Sequence, residues 1–431
     1  MTSTCGNRDT GSIRASLLHI AKLAILATIA LLQVPFRAVI SRPRFSFKAG
    51  FADSVVWLLQ SLGPPYVKFG QLLATRLPEL PIEIAVRLST IQDQVCRYGS
   101  RLTIDMISNE IGAEAASRFR FIGEKPIASG SAAVVYRGEL SDGRDVAIKV
   151  IRKHGLKSTQ ASLDVIRRIV AIVSRLDVVT KIPLLEAFDD IAHAMTRQFD
   201  LTEEARVTQK VQGMFAKDRR VIIPRVYPEL SNKNILTMNF IEGLAKVTPY
   251  TEGRAIEEAI KVGFQCQFKM ILEYGMIHCD FHAGNVFFSE RGVLTILDFG
   301  FAEEMTMSET YQFREFFIGV MLCDGKRCAK VLIDTAVRIS DPFDRGAFEA
   351  SMCQLVKSRS RVAASKFRVV SFIKELFQIQ STHGMRGSHR FTMAILSLLV
   401  FEGIAARFVP EIDFQREALP VVGPILVRRG F

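Results

Sequence analysis

Residues 278–300 constrain this chain more than any other stretch. They read His278-Cys-Asp280-Phe-His282-Ala-Gly284-Asn285-Val, continue to an apolar run over 293–297, and end in Asp298-Phe-Gly300. An acid and an amide sit on one short loop, and a second acid follows a strand-like run. That layout suits phosphoryl transfer. Asp280 would orient or deprotonate an attacking hydroxyl, Asn285 would bind a metal ion, and Asp298 would hold Mg²⁺ between nucleotide phosphates. Such a transfer needs positioning and charge neutralisation more than covalent help, so two hard oxygen ligands and one base suffice. An isolated Asp-Phe-Gly arises often by chance; both motifs in this order and spacing rarely do.

Other parts of a nucleotide site lie upstream. Val146-Ala-Ile-Lys149-Val places a lysine inside an apolar strand, where alternation turns it toward a cleft. A lysine there is costly unless paired, and it can reach α- and β-phosphates. Its partner is expected on a nearby helix, in Asp200-Leu-Thr-Glu203-Glu204-Ala, with Glu204 the first choice and Glu203 the competitor. Before the strand stands Pro126-Ile-Ala128-Ser129-Gly130-Ser131-Ala-Ala, a run of small residues whose backbone N–H groups can approach a phosphate closely. Glu242, closing the strand-like run 235–241, is placed with the nucleotide-contacting residues. Farther upstream is Leu62-Gly-Pro-Pro-Tyr-Val-Lys68-Phe-Gly70-Gln71, in which Lys68 and Gln71 share one helix face by their spacing. On local pattern alone these two are a surface polar pair.

With 431 residues, 48% of them apolar and 23% charged, the chain has the composition and length of a folded protein of two or three domains. Its seven cysteines are scattered, odd in number and form no C-x-x-C pair, which fits a reducing compartment rather than a disulfide-built secreted scaffold. Cys279, inside the loop, reads as packing rather than as a nucleophile. The net charge is +12, and half of it comes from residues 1–52, where seven Lys/Arg face Asp9 alone. The same segment holds the apolar run 23–32, shorter than the roughly 20 residues a membrane span needs, with Pro35 and Arg37 beyond it. Lys22 interrupts what would be the apolar region of a secretory signal. A basic, apolar helix lying on an anionic membrane surface fits this pattern, with organelle targeting as the alternative. The apolar run 391–401 ends at Glu402 and reads as a buried core helix. Nucleic acid is not expected as a partner, because the basic residues interleave with aliphatic rather than aromatic ones.

No internal repeat or low-complexity segment is visible. Residues 53–118 read as helices broken at Gly63-Pro64-Pro65, Pro78 and Pro81. Strands are predicted over 121–128, 133–140 and 145–151, with a turn at Ser141-Asp-Gly143. Helices follow over 163–176 and 184–215, the second broken near Phe199, and then strands over 221–226 and 235–241. Helix resumes from Ala255 to the loop, and 309–431 read as helices with loops near Asp341-Pro342 and over 384–388. The expected fold is α+β, a protein-kinase-like two-lobed fold with an N-terminal helical extension. Its parts would be a basic, apolar segment over 1–52, the helical extension over 53–118, a small lobe over 119–244 and a helical large lobe over 245–431.

From about residue 55 to 420 the chain resembles the UbiB/AarF-type atypical kinase family, bacterial and mitochondrial proteins tied to ubiquinone biosynthesis. Lys68-Phe-Gly70-Gln71 is similar to that family's KxGQ signature, which in the family sits on an N-terminal extension folded over the nucleotide cleft. The resemblance therefore implies catalytic-site roles for Lys68 and Gln71. Ala128-Ser129-Gly130-Ser131 lies where the family has an alanine-rich loop in place of the glycine-rich one. Glu204-Ala205 matches the acid that pairs with the strand lysine, which selects Glu204 over Glu203. Asp280, Asn285 and Asp298 match the catalytic base and two metal ligands. Two departures stand out. The family has Glu-x-Asp six residues before the paired acid, where this chain has Gln198-Phe-Asp200, and an amide cannot supply the carboxylate charge. Gly130 stands where an alanine is usual, and a glycine there would free the backbone toward the behaviour of an ordinary kinase loop. Many family members carry C-terminal membrane helices. This chain reaches Phe431 without one, so membrane contact is expected at the N-terminus or a surface helix.

The resemblance implies ATP and Mg²⁺ as cofactors and an atypical kinase or ATPase that supports ubiquinone biosynthesis at a membrane surface. The expected partners are the nucleotide, anionic lipid or isoprenoid-quinone intermediates, and quinone-biosynthesis proteins. The expected location is intracellular and peripheral to a membrane, on the bacterial cytoplasmic face or in mitochondria. An extension over the cleft would hinder a protein substrate and favour ATP hydrolysis or a small, lipid-like acceptor. Two alternatives remain: a small-molecule kinase of the choline-kinase or aminoglycoside-phosphotransferase type, whose loop is similar, and a non-catalytic nucleotide-binding scaffold.

Overall fold

The computed structural model describes residues 47–76, 87–88, 102–130, 132–152, 155–175, 184–246, 254–281, 284–289, 292–360, 369–409 and 412–427. Most of the basic, apolar segment 1–52, the breaks expected at Pro78 and Pro81, Ser131 and His282 lie outside the described residues. In chain order, α1 (Phe47–Leu62) and α2 (Pro64–Arg76) are followed by α3 (Ile104–Ile111) and a single turn, α4 (Ala113–Ala116). Strands β1 (Phe119–Ile122), β2 (Ala128–Ser129), β3 (Ala133–Leu140) and β4 (Asp145–Ile151) come next. Helices α5 (Gly155–Val173), α6 (Leu184–Arg197) and α7 (Leu201–Phe215) lead to β5 (Val221–Ile222), β6 (Ile235–Asn239) and β7 (Ala245–Lys246). Beyond α8 (Arg254–Tyr274) stand β8 (Met276–His278), β9 (Val286–Phe288), β10 (Leu294–Ile296) and β11 (Ala302–Glu304). Then come α9 (Met307–Met321), α10 (Gly325–Thr335), β12 (Arg338–Ile339), α11 (Arg345–Ser360), α12 (Val369–Thr382), β13 (Met385–Arg386), α13 (His389–Phe408) and α14 (Phe414–Val427).

The chain divides into two compact units, one of Met1–Cys96 with Lys153–Thr196 and the other of Arg97–Arg152 with Arg197–Phe431. The first is helical. Its α1 and α2 are separated by Gly63, whose φ of +112° only a glycine adopts readily, and Pro64 and Pro65 open α2 where their missing N–H groups cost nothing. Tyr66, Val67, Phe69 and Leu72 of α2 are buried, with the Phe69 ring 6.0 Å from that of Phe188 on α6. The insertion that carries α5 and α6 thus belongs with the N-terminal helices rather than with the strands that flank it in sequence.

The second unit opens with an antiparallel sheet in the order β1-β3-β4-β6, with β2 also on β3. Alternation along β3 and β4 sends Val134, Tyr136, Leu140, Val146 and Ile148 into a core with Leu102, Ile107, Ala116 and Phe119. The other parity, Val135, Arg137, Ala147 and Lys149, faces the opposite side, with Val135 paired to Lys149 and Arg137 to Ala147. A second sheet, β5-β10-β9-β7, and the ribbon β8-β11 lie within the helical part. There Phe264 packs against Phe401 and Phe414, and Phe401 against Phe281 at 4.9 Å, so a column of phenylalanines stands beneath the loop that begins at Cys279. A Cβ on Gly263 would collide with the Phe401 ring, so only glycine lets α8 approach α13 this closely. Glu402, on the buried run 391–401 and its continuation, accepts the Val369 and Val370 N–H groups at 2.8 and 3.1 Å and so caps α12. The sequence reads 309–431 as helices alone; the pair β12-β13 within it joins two distant short segments that carry no period of their own. The strand expected over 221–226 is two residues long, and that expected over 121–128 is split between β1 and β2.

Candidate active site

Lys149 is held by two carboxylates. Its Nζ donates to Glu204 Oε1 at 2.6 Å and to Asp298 Oδ2 at 3.0 Å. The Lys149 and Glu204 side chains are 13% and 5% exposed, so each charge is tolerable only because of the other. The acid arrives on α7, which Asp200 caps by accepting the Thr202 N–H at 3.0 Å. Leu201 and Ala205 of that helix pack with Val226, Leu236 and Met238, which fixes the face that bears Glu204. Glu203 points elsewhere and pairs with Arg206 and Arg197. Burial pushes the Glu204 carboxyl up to about 7 against the pull of Lys149. Burial also works against the Lys149 ammonium, but Asp298 and Glu204 outweigh it and raise its pKa. Asp298, more open at 39% exposure, sits below the ordinary carboxylate range, since burial is outweighed by Lys149 and the Gly300 N–H.

Gly300 is closely approached by two carboxylates. Its N–H donates to Asp298 Oδ1 at 2.8 Å, and a Cβ there would stand 2.9 Å from Glu204 Oε2 and 3.1 Å from Asp298 Oδ1. The loop between β8 and β9 is tied to the same place. Asn285 Nδ2 donates to the Asp280 carbonyl at 3.0 Å, the Asn285 carbonyl accepts the Leu297 N–H at 3.0 Å, and the Asp280 N–H donates to His278 Nδ1 at 3.2 Å. His278 is buried between the rings of Phe281 and Phe299, at 5.1 and 5.2 Å, so the loop and the Asp-Phe-Gly turn rest on one aromatic support. Cys279 is buried with its thiol toward the Ile277 carbonyl, a packing position.

Of the small-residue stretch, Ala128 and Ser129 form β2 against Val135 and Val134, and the Gly130 N–H donates to the Ala133 carbonyl at 2.9 Å. Gly130 does not use glycine's freedom: its φ lies outside the left-handed region, and a Cβ would meet only the Ala133 carbonyl at 3.7 Å. The Glu242 side chain ends in an exposed ion pair with Arg137 at 3.1 Å; Arg137 also grips Asp145 at 2.9 Å and lies 4.6 Å over the Phe240 ring. Lys68 and Gln71 are neighbours on α2, both half-buried, and belong to the first unit, whereas every other described candidate belongs to the second.

The donor set suits a hard divalent cation. Asp298 and Asn285 offer oxygens, and the backbone bond from Leu297 to Asn285 holds their segments side by side. Two carboxylates against one ammonium, with Asp280 also acting on Asp298, leave a surplus of negative charge for a cation to neutralise. Among the described residues no group of three or more His, Cys, Asp or Glu forms a complete metal cage. Magnesium bound through one or two carboxylates and substrate phosphates needs none.

The ABC1 atypical kinase-like domain model matches residues 90–332. This chain belongs to that family. Among its relatives, the chloroplastic protein ACTIVITY OF BC1 COMPLEX KINASE 8 of Arabidopsis thaliana is 25% identical over 437 residues, covering 90% of this chain and 57% of that protein. A probable protein kinase UbiB of Shewanella pealeana is 26% identical over 84% of this chain and 67% of its own length. The chain spans about half the length of several of the curated relatives it matches. The structure of Rv3197 from Mycobacterium tuberculosis in complex with erythromycin is 16% identical, with a TM-score of 0.50 over 94% of this chain and 99% of that one, and so shares the fold.

Within this ABC1 chain, Asp200 of the altered Gln198-Phe-Asp200 element acts as the helix cap described above, a role the change at Gln198 leaves intact. One residue at the site escapes a motif reading. Arg152, three positions after Lys149, donates its Nε to the Gly130 carbonyl at 3.0 Å and its Nη2 to Ser129 Oγ, clasping the small-residue loop to the end of β4. The only local signal was a basic residue directly after the lysine strand.

Proposed function

We propose that this chain is an ATP- and Mg²⁺-dependent atypical kinase or ATPase of the UbiB type, acting at a membrane surface in support of isoprenoid-quinone biosynthesis. The observation that carries the proposal is the simultaneous contact of Lys149 with Glu204 and Asp298, beside the loop that bears Asp280 and Asn285. In this reading Lys149, oriented by Glu204, contacts the α- and β-phosphates, and the N–H groups of the Ala128–Ser131 stretch line the phosphates. Asp298 and Asn285 hold the magnesium ion, which when bound screens the phosphate charge. Asp280 orients or deprotonates the attacking hydroxyl or water. For Lys68 and Gln71, the KxGQ resemblance is what supports a functional role in this proposal.

Support for a small acceptor, or for water, comes from the stretch between Asp298 and α9. Only residues 299–306 intervene, and they are taken up by a turn, β11 and the Thr306 cap, so no long peptide-docking segment follows the metal-binding acid. The UbiB names of relatives support the quinone link, and the basic, apolar N-terminal segment supports the membrane surface. Among the described residues no helix is long and apolar enough to cross a membrane.

The test is ATP consumption by the purified protein with and without vesicles containing anionic lipid, for the wild type and Asp298→Asn. Turnover lost in Asp298→Asn and stimulated by vesicles is the expected result. Unchanged turnover in Asp298→Asn would refute the assignment, and indifference to vesicles would remove the membrane part. Tight ATP binding without turnover under every lipid condition would favour a scaffold.

A further inference from the structure

The helix that carries Glu204 is also gripped from the segment that follows the Asp-Phe-Gly turn. Glu304, at the end of β11, accepts from Arg206 Nη2 at 2.5 Å through Oε1 and from Lys210 Nζ through Oε2. Arg206 and Lys210 are one turn apart on α7, so a single carboxylate bridges two cations on one helix face. Arg206 is shared with Glu203 at 2.8 Å, and Glu203 reaches Arg197 at 3.4 Å at the helix's approach. The backbone that carries Glu304 is tied down on both sides. β11 pairs with β8 in the register Ala302 to His278 and Glu304 to Met276, the Cys279 N–H donates to the Phe301 carbonyl at 3.0 Å, and the Met305 N–H donates to the Gly275 carbonyl at 2.7 Å. Immediately beyond, Thr306 and Glu309 form a reciprocal capping box that starts α9.

These contacts close a ring: Lys149 to Glu204, along α7 to Arg206 and Lys210, across to Glu304, back through Gly300 to Asp298, and from Asp298 to Lys149. In kinases, pairing of the strand lysine with the helix acid is controlled by the position of that helix, commonly through phosphorylation of a loop after Asp-Phe-Gly. A phosphate acts there by pairing with basic side chains. Here a carboxylate with a fixed backbone presents permanent negative charge to two such side chains. We propose that Glu304 is a positioning residue that locks α7 in its Lys149-engaged place, so that the site is held assembled without phosphorylation. The proposal rests on the ATP-dependent reading of the site, but its structural part stands apart from turnover.

The experiment compares wild type, Glu304→Gln, Glu304→Lys, and Glu304→Lys combined with Lys210→Glu. It reads hydrogen exchange of the α7 amides without nucleotide, and kcat and KM for ATP. The pairs are one-third to one-half exposed, where each is worth little alone, so the expected rise in KM is roughly three- to tenfold, larger for Lys than for Gln. The α7 amides are expected to exchange faster in step, with the melting temperature little changed and kcat falling less than KM rises. The charge-swapped double variant should recover part of both readouts relative to Glu304→Lys, because it restores the pair at position 210 while Arg206 still meets the new ammonium. Phosphatase treatment of the wild type should alter neither. Unchanged exchange and KM in both single variants would overturn the proposal, as would a swap that restores neither or a phosphatase-sensitive KM. A wild type that consumes no ATP would sink the functional reading, while the exchange measurement would still decide the lock.

Discussion

Replacing Lys149 by Met tests the physical basis of the site apart from its chemistry. Methionine keeps the length and apolar stem of the side chain but leaves Glu204, 5% exposed, without its cation and near Asp298. Removing one partner of a buried ion pair costs about 3–5 kcal/mol when the remaining charge stays ionised. Glu204 has an escape, because its pKa is already about 7 in the intact protein and rises further once the pull of Lys149 is gone. A carboxyl whose folded pKa lies above its unfolded value contributes stability that is full below the unfolded value, 4.5, and is lost as pH rises through the folded one. The wild type offsets that loss through Lys149, whose own raised pKa contributes stability throughout the neutral range and surrenders it only at alkaline pH above the ordinary 10.5. The variant has no such offset. Its deficit should therefore be about 1 kcal/mol near pH 5.5, where Glu204 is protonated and needs only a hydrogen bond. Above about pH 7 the deficit should widen by up to roughly 1.4 kcal/mol per pH unit until Glu204 ionises. Urea denaturation followed by circular dichroism at pH 5.5, 7 and 8.5 measures it, with Lys149→Met/Glu204→Gln expected to show no such slope. A deficit that is the same at every pH, or below about 1 kcal/mol at pH 8.5, would show that Glu204 is not a buried charge dependent on this lysine.

Two glycines separate space from conformation. Gly300→Ala should lower kcat/KM for ATP by about ten- to a hundredfold, because the new Cβ forces the Glu204 and Asp298 carboxylates to give way by a few tenths of an ångström while Glu204 is pinned to Lys149. Wild-type kcat/KM in that variant would mean that the carboxylates yield freely. Gly130→Ala fits the space around it and should leave stability unchanged or raise it by up to about 1 kcal/mol. A measured loss of stability there would show that the loop backbone depends on glycine, and any change in KM without one would report contact with the nucleotide.

The separate strands of the small sheet and the break before α7 were legible because they are local. Alternation over 133–140 and 145–151 reproduces β3 and β4, and Gly63-Pro64-Pro65 marks the break before α2. Such signals encode backbone angles and the face on which a residue falls, and they require no knowledge of what lies opposite. The spacing of Asp280, Asn285 and Asp298 is also local, and it restricts the chemistry before any fold is known.

The amino-acid order by itself determined which groups exist and which face of a strand or helix presents them, including Lys149 on one side of β4 and Glu204 near the start of a helix. Only the tertiary structure decided which of them meet. Lys149 and Asp298 are 149 residues apart and Arg206 and Glu304 are 98 apart, separations over which no periodicity carries information. The same holds for the clasp of Arg152 on Gly130, the pairing of Glu242 with Arg137, and the crowding around Gly300. Each depends on how packed elements bring their surfaces within a few ångströms, and contacts of that range are fixed by the path of the whole chain.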